Sequence, residues 1–145
     1  MLLRMIKFVD WPQEVFASAE SPLSICVYEH PRLFRALRAI DATTWHGRSV
    51  EVQRLVDLNS SHCHVRVMGA EAVEHWREAG NASGDDHPVP ATLLVSDRRN
   101  FLQDGGHIRL RLAVDAVSFD INATQAKQDQ LHISAELLGV ARKVL

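Results

Sequence analysis

The amino-acid sequence predicts an α/β fold: a mixed, partly parallel sheet of about six strands flanked by helices, with an antiparallel hairpin near the C-terminus. Strand and helix patterns follow one another as β-α-β-β-α-β, the order of parallel strands joined by crossover helices. Ala91-Thr92-Leu93-Leu94-Val95-Ser96 is the most continuously apolar strand pattern, as a central strand buried on both faces requires. Gly105-Gly106 then feeds the alternating run Ile108-Arg109-Leu110-Arg111-Leu112, and a second strand pattern ending Phe119-Asp120-Ile121-Asn122 follows closely, which reads as a hairpin.

In chain order, Leu2, Met5, Ile6 and Val9 share one helical face with Arg4 and Lys7 off it. This predicts a core helix that ends before Trp11-Pro12, because proline restricts the residue preceding it. The segment has neither the long apolar region nor the small-residue cleavage site of a secretory leader. A chain that begins inside a core helix suggests a start placed late or a trimmed N-terminus.

Leu23-Ser24-Ile25-Cys26-Val27 reads as a buried strand. Pro31 opens a helix with Leu33, Phe34, Leu37 and Ile40 on its apolar stripe, since the missing N–H of proline is harmless at the first helical position. After the His46-Gly47 turn, residues 49–55 and 63–68 read as two further strands, each with one polar side. A helix over 70–79 buries Val73 and Trp76, with Gly80 as its left-handed cap. Turn residues fill 81–88 before the central strand. Asn122 is placed to cap a helix over 123–128, with Gln125 in the capping-box position. Ser134 is placed to cap the last helix, whose Glu136 and whose Arg142 and Lys143 match the macrodipole at its two ends, with Leu137, Leu138 and Ala141 facing inward.

The 145 residues fit one domain, 1–145, with 16 basic and 18 acidic side chains and a formal charge of −2. That balance gives no electrostatic reason to expect nucleic acid. No apolar run approaches the roughly 20 residues that span a bilayer, so direct membrane insertion is not expected.

Catalytic patterns are missing: there is no G-x-S-x-G elbow, no P-loop and no dinucleotide fingerprint. Asp104-Gly105-Gly106 precedes a strand instead of a helix, so it reads as a tight turn and not a phosphate loop. His62-Cys63-His64, with His30, His46, His87, His107 and His132 elsewhere, invites a metal reading. Alternation along a strand leaves only His62 and His64 on one side, and no second Cys-x-x-Cys or His-x-x-x-His completes a tetrahedral set. Neither an enzyme, a metal nor a cofactor is expected. Cys26 and Cys63 are the only cysteines, and from composition they are either two buried thiols or a disulfide.

Among surface candidates, Trp11 packs the end of the first helix and Trp76 belongs to the core. Trp45, in a Thr-Thr-Trp-His-Gly turn, is the exposed aromatic available as a partner anchor. Arg109 and Arg111 share the face of their strand opposite Ile108, Leu110 and Leu112. They form either a solvated face or a basic surface for an acidic partner loop or small anion.

Taken together, Ile6-Lys7-Phe8-Val9-Asp10-Trp11-Pro12, Ile25-Cys26-Val27, Cys63-His64-Val65, Leu94-Val95-Ser96-Asp97, Phe101, Gly105-Gly106-x-Ile108, Phe119-Asp120-Ile121-Asn122 and Ile133-Ser134-x-x-Leu137-Leu138 resemble the YfiR/HmsC-like family of small bacterial periplasmic proteins, in the family's order and spacing. Arg66 at a usually apolar strand position, a longer acidic 84–90 loop and the lack of glycine near Val114-Asp115-Ala116 depart from the pattern. The resemblance implies a disulfide between Cys26 and Cys63, structural roles for Trp11, Pro12, Gly105, Gly106, Asn122 and Ser134, and a secretory leader ahead of the first helix. It implies a non-enzymatic periplasmic regulator in cyclic di-GMP signalling that binds and restrains an inner-membrane protein, a diguanylate cyclase or sensor kinase, and leaves a homodimer open. The alternative is a small-ligand-binding periplasmic sensor, its ligand in the crevice at the carboxyl ends of the parallel strands near the loops after Val27 and Ser96.

Overall fold

The structure, a computed structural model, describes residues 2–16, 18–39, 41, 43–55, 63–83, 91–112 and 117–145, with backbone alone at 2–4, 79–83, 112 and 117. Ile40, His62, His87, the 84–90 loop and residues 113–116 lie outside the described residues. The elements are α1 Leu2–Lys7, β1 Val9–Asp10, a 3-10 turn at Gln13–Val15, β2 Leu23–Tyr28, α2 Pro31–Arg38, β3 Thr44–Trp45, β4 Arg48–Leu55, β5 Val65–Met68, α3 Ala70–Ser83, β6 Leu93–Ser96, β7 Ile108–Leu112, β8 Val117–Ile121, α4 Ala123–Gln128, β9 His132–Ile133, α5 Ala135–Val140 and β10 Lys143–Val144.

The described strands form an eight-stranded sheet in the order β10-β8-β7-β6-β5-β2-β4-β3 and a small β1-β9 pair. β2, β4, β5, β6 and β7 are mutually parallel, β7 and β8 form the antiparallel hairpin, and β10 adds to β8 in parallel. The sheet is thus mixed and mainly parallel, as the sequence predicts. It has about two strands more than expected because β3 and β10 are two residues long, too short to leave a periodic signal.

The strand period of two sorts the core into two clusters. Ile25, Val27, Val65, Val67, Leu93, Val95 and Ile108 line one face with Ile6, Leu33, Leu37, Ala126 and Leu137, so α1, α2, α4 and α5 pack there. Cys26, Tyr28, Met68 and Phe101 line the other with Ala72 and Val73 of α3. Burial of each such aliphatic side chain stabilises by about 1.5 to 3 kcal/mol. The turn into α3 permits no side chain at Gly69: its N–H donates to the Tyr28 carbonyl at 2.8 Å, and a Cβ would collide with the Glu29 carbonyl.

The side-chain caps predicted at Asn122 and Ser134 form: Asn122 Oδ1 accepts from Gln125 N–H at 3.0 Å, and Ser134 Oγ from Glu136 N–H at 3.2 Å. A cap not read from the sequence stands ahead of Pro31, where His30 Nδ1 accepts from the Leu33 N–H at 3.2 Å. Four local readings need correction. α1 stops at Lys7 because Val9 and Asp10 pair with Ile133 and His132. α3 runs on through Gly80 to Ser83, so Gly80 is no cap. The Gln125 side chain donates forward to Asp129 at 3.1 Å instead of closing a capping box. α5 ends at Val140, with Ala141 extended at ψ 144°; Arg142 and Lys143 therefore leave its last turn and join the sheet edge.

Candidate functional site

Only half of the second sheet face is covered among the described helices. α3 lies over β2 and β5, whereas β7, β8 and β10 carry polar side chains on that side. Alternation along β7 buries Ile108 and Leu110 in the core and turns Arg109 and Arg111 to the other face. Hairpin register sets Arg109 opposite Asp120 and Arg111 opposite Ser118, and β10 sets Lys143 beside Asp120. A recess of about 340 Å³ opens here, lined by Arg99, Leu102, Gln103, Arg109, Arg111, Asp120, Lys143 and Leu145.

The loop from Ser96 to β7 forms one wall, and its fastenings are specific. Ser96 Oγ donates to Met68 O at 2.7 Å and accepts from Arg98 N–H at 3.2 Å. Arg98 pairs with Glu74 of α3. Phe101 is fully buried 5.7 Å from the ring of Trp76, and Gly106 lies so close beneath the Phe101 ring that a Cβ would overlap it. Gly105 adopts φ 108°, a conformation that glycine tolerates best. At the far end Asn122 Nδ2 donates to Leu102 O at 3.3 Å.

Asp120 is the hub, with only 5% of its side chain exposed. Arg111 Nε donates to Oδ2 at 3.0 Å and Arg142 Nε to Oδ1 at 3.2 Å, while Arg109 Nη1 stands 4.0 Å away. Burial pushes the carboxyl toward protonation, but the hydrogen bonds from Arg111 and Arg142 outweigh it and hold it below the ordinary range. Arg109 Nε donates to Arg98 O at 3.2 Å; burial, then the neighbouring Arg111 charge, lowers its basicity, yet a guanidinium stays charged at physiological pH. Four cations thus line the recess against one carboxylate. Among the described residues, Arg99 and Lys143 have no ion-pair partner.

The other predicted positions lie elsewhere. Trp45 is buried at 5% exposure, which corrects its reading as an exposed anchor. Its Nε1 donates to Ile6 O at 3.1 Å, and its ring meets Trp11 edge-on at 5.3 Å. Trp11 Nε1 donates to His64 O at 3.0 Å, and Pro12 precedes the 3-10 turn. Trp76 is only half-buried. Cys26 and Cys63 form a disulfide with Cα atoms 6.0 Å apart.

Three of the described histidines, His30, His64 and His107, make specific ring hydrogen bonds. His64 Nδ1 accepts from Ser24 N–H at 2.9 Å, and His107 Nδ1 from Leu94 N–H at 2.9 Å. Each ring therefore carries its proton on Nε2, which His64 donates to Val15 O at 3.3 Å and His107 to Asp129 Oδ2 at 2.6 Å. His30 Nε2 donates to Asp97 Oδ2 at 3.0 Å. This bond joins the loops after β2 and β6, so the crevice expected between them is bridged, and the loop after β6 instead walls the Asp120 recess.

Asp120, Arg142 and Lys143 read from the sequence only as strand and helix-end residues, and Arg99 carries no signal of its own, so their place in the site was missed. An acidic residue alternating with Phe119 and Ile121 was the available signal, and its partners became visible only through cross-strand register. The arrangement concentrates positive charge around one carboxylate; among the residues that line it, no nucleophile stands beside a general base.

A family model described as YfiR/HmsC-like matches residues 1–142. A crystal structure of a conserved domain protein from Vibrio cholerae O1 biovar El Tor is similar over 85% of this chain and 55% of that one, at 17% identity and a TM-score of 0.57. The chain spans about half the length of that structure, and at this identity the likeness shows the fold alone. No curated protein matches the sequence. With nearly its whole length covered by the family model, the chain belongs to the YfiR/HmsC-like family.

Proposed function

We propose that the protein is a non-enzymatic periplasmic regulator that binds and restrains a membrane-bound signalling protein of the diguanylate cyclase type by direct contact. Membership of the YfiR/HmsC-like family is the observation that carries this reading, since it supports a periplasmic regulatory role in general. The Cys26–Cys63 bridge fits an oxidising compartment. Among the described residues no helix is long and apolar enough to cross a membrane, so the contact is with a receptor's exported part. Such a binder shifts its receptor only by differential affinity for two receptor states.

The open half of the sheet face, with Arg109 and Arg111 at its centre, is the contact surface in this reading. Arg109 and Arg111 hold Asp120 as well, so reversing their charge would confuse binding with folding. A photo-crosslinker at Ser118, half-exposed on the same face, avoids that. In periplasmic expression Ser118 is expected to crosslink to an inner-membrane signalling protein, and Arg35, exposed on α2 at the opposite face, is not. Equal capture from both positions, or none from Ser118, contradicts the reading.

A second reading, a small-ligand-binding periplasmic sensor, is favoured by the recess itself. Its volume of about 340 Å³ lies at the lower end of the range for small-molecule sites. Ligand-dependent melting against a metabolite panel tests it.

A further inference from the structure

We propose that the recess over β7, β8 and β10 binds a small phosphate-bearing anion, with Arg99, Arg109, Arg111 and Lys143 as its ligands and Asp120 as the fixed counter-charge that positions the guanidinium groups. The proposal rests on the ligand-sensing reading and is independent of any membrane partner.

The distribution of charge is the first argument. The chain as a whole is slightly acidic, with 18 carboxylates to 16 cations, yet four cations meet a single carboxylate in this recess. Like charges drawn together this way repel one another unless an anion joins them. The uncompensated charge matches a phosphomonoester or diphosphate, whereas one simple carboxylate is satisfied by a single bidentate arginine.

Geometry is the second. Arg109 and Arg111 are alternate residues of one strand, so their Cα atoms stand about 7 Å apart. Each commits its Nε to the protein, Arg109 to Arg98 O and Arg111 to Asp120. No hydrogen bond engages their Nη amino groups among the described residues, which leaves those donors for a compact oxyanion. Asp120 and the Arg98 carbonyl thus hold the guanidinium groups in place before any ligand arrives, which reduces the entropic cost of binding.

Shape is the third. The Arg109 side chain is only 18% exposed and is recessed behind the wall that carries Arg99 and Leu102. A small molecule reaches it, and a flat lipid surface does not. Leu102 and Leu145 lend the recess an apolar rim for the organic part of a phosphate ester.

The experiment is isothermal titration calorimetry of the full, disulfide-bonded chain with pyrophosphate at constant ionic strength, since exposed charges respond to salt. Saturable one-site binding is expected. Arg99→Gln combined with Lys143→Gln, which removes no described ion pair, is expected to weaken it at least tenfold, on the order of 1.4 kcal/mol, with an unchanged melting temperature. Pyrophosphate binding that ignores this double variant places the site elsewhere and overturns the proposal. A dicarboxylate such as succinate that binds while pyrophosphate does not, with sensitivity to the same variant, overturns the phosphate assignment and leaves the ligand-sensing reading standing. An acidic peptide or phosphatidylglycerol vesicles binding in place of pyrophosphate assigns the charge to a macromolecular or lipid surface and overturns it too. No binding by any probe overturns the proposal, and the ligand-sensing reading falls with it only if the metabolite panel also leaves the melting temperature unmoved.

Discussion

Arg142, two residues beyond the last helix, reaches back to donate its Nε to Oδ1 of Asp120 at 3.2 Å. The closing segment of the chain is thereby tied to the same carboxylate that Arg111 engages at 3.0 Å, and β10 pairs with β8 in the register this contact requires. One acidic side chain therefore organises the hairpin, the C-terminal edge strand and the recess between them.

Replacing Asp120 by Asn removes the counter-charge from three guanidinium groups. Loss of one partner from a fully buried pair costs about 3 to 5 kcal/mol. Arg111 and Arg142 are 38% and 50% exposed and rehydrate, so a loss of about 1 to 2 kcal/mol is expected, read by urea unfolding at neutral pH. Asp120 is held below its unfolded value of about 3.9. The stabilisation is therefore fully present above that value and is lost as pH falls through the lower folded value. Wild type should lose stability across that acid window more steeply than Asp120→Asn, and parallel acid limbs would contradict the assignment.

The Cys26–Cys63 bridge closes a loop with a sequence separation of 37. In the chain-entropy model a loop of this length is worth roughly 4 kcal/mol. The double variant Cys26→Ala and Cys63→Ala is expected to melt about 10 °C lower at least, measured by circular dichroism against the oxidised protein. A melting temperature unchanged by the double variant would show that the bridge does not constrain the unfolded chain.

His64 and His107 perform one task twice: each stands just before a strand and accepts a neighbouring strand's N–H on Nδ1. Long-range nitrogen–proton NMR should find both as the Nε2–H tautomer at neutral pH. His107 is 1% exposed, so His107→Ala strands the Leu94 N–H and is expected to lose about 2 to 4 kcal/mol of stability. A proton on Nδ1 of either ring contradicts the hydrogen-bond scheme.

Trp45 distinguishes a core role from a docking role. Trp45→Ala is expected to destabilise by about 3 to 5 kcal/mol, and Trp45→Phe by about 1 kcal/mol through loss of the bond to Ile6 O. A stable, fully folded Trp45→Ala would return this residue to the surface candidates.

The sheet was legible because its central strands carry the signal that burial imposes: Leu93-Leu94-Val95 is apolar throughout, and the Ile108-Arg109-Leu110-Arg111 alternation sorts its own two faces. Asn122 and Ser134 were legible because side-chain capping is a local event. Trp45 was misread because a Thr-Trp-His-Gly turn resembles a surface turn, and only the arrival of α1 and Trp11, some 30 to 40 residues earlier, buries it. The recess was half-legible: the paired arginines lie on one strand and Asp120 on the other strand of a hairpin the sequence shows, but the register between them, the position of the Arg99 loop and the return of Lys143 to β8 leave no local pattern.

The most direct test of the regulatory account is the intracellular cyclic di-GMP level in cells lacking this protein, with and without the chain restored to the periplasm from a leader-bearing gene. The account predicts that the level rises on loss, returns to normal with exported wild type, and stays high when Ser118→Arg disturbs the open sheet face without lowering the melting temperature. A cyclic di-GMP level indifferent to the presence of the exported protein would contradict it.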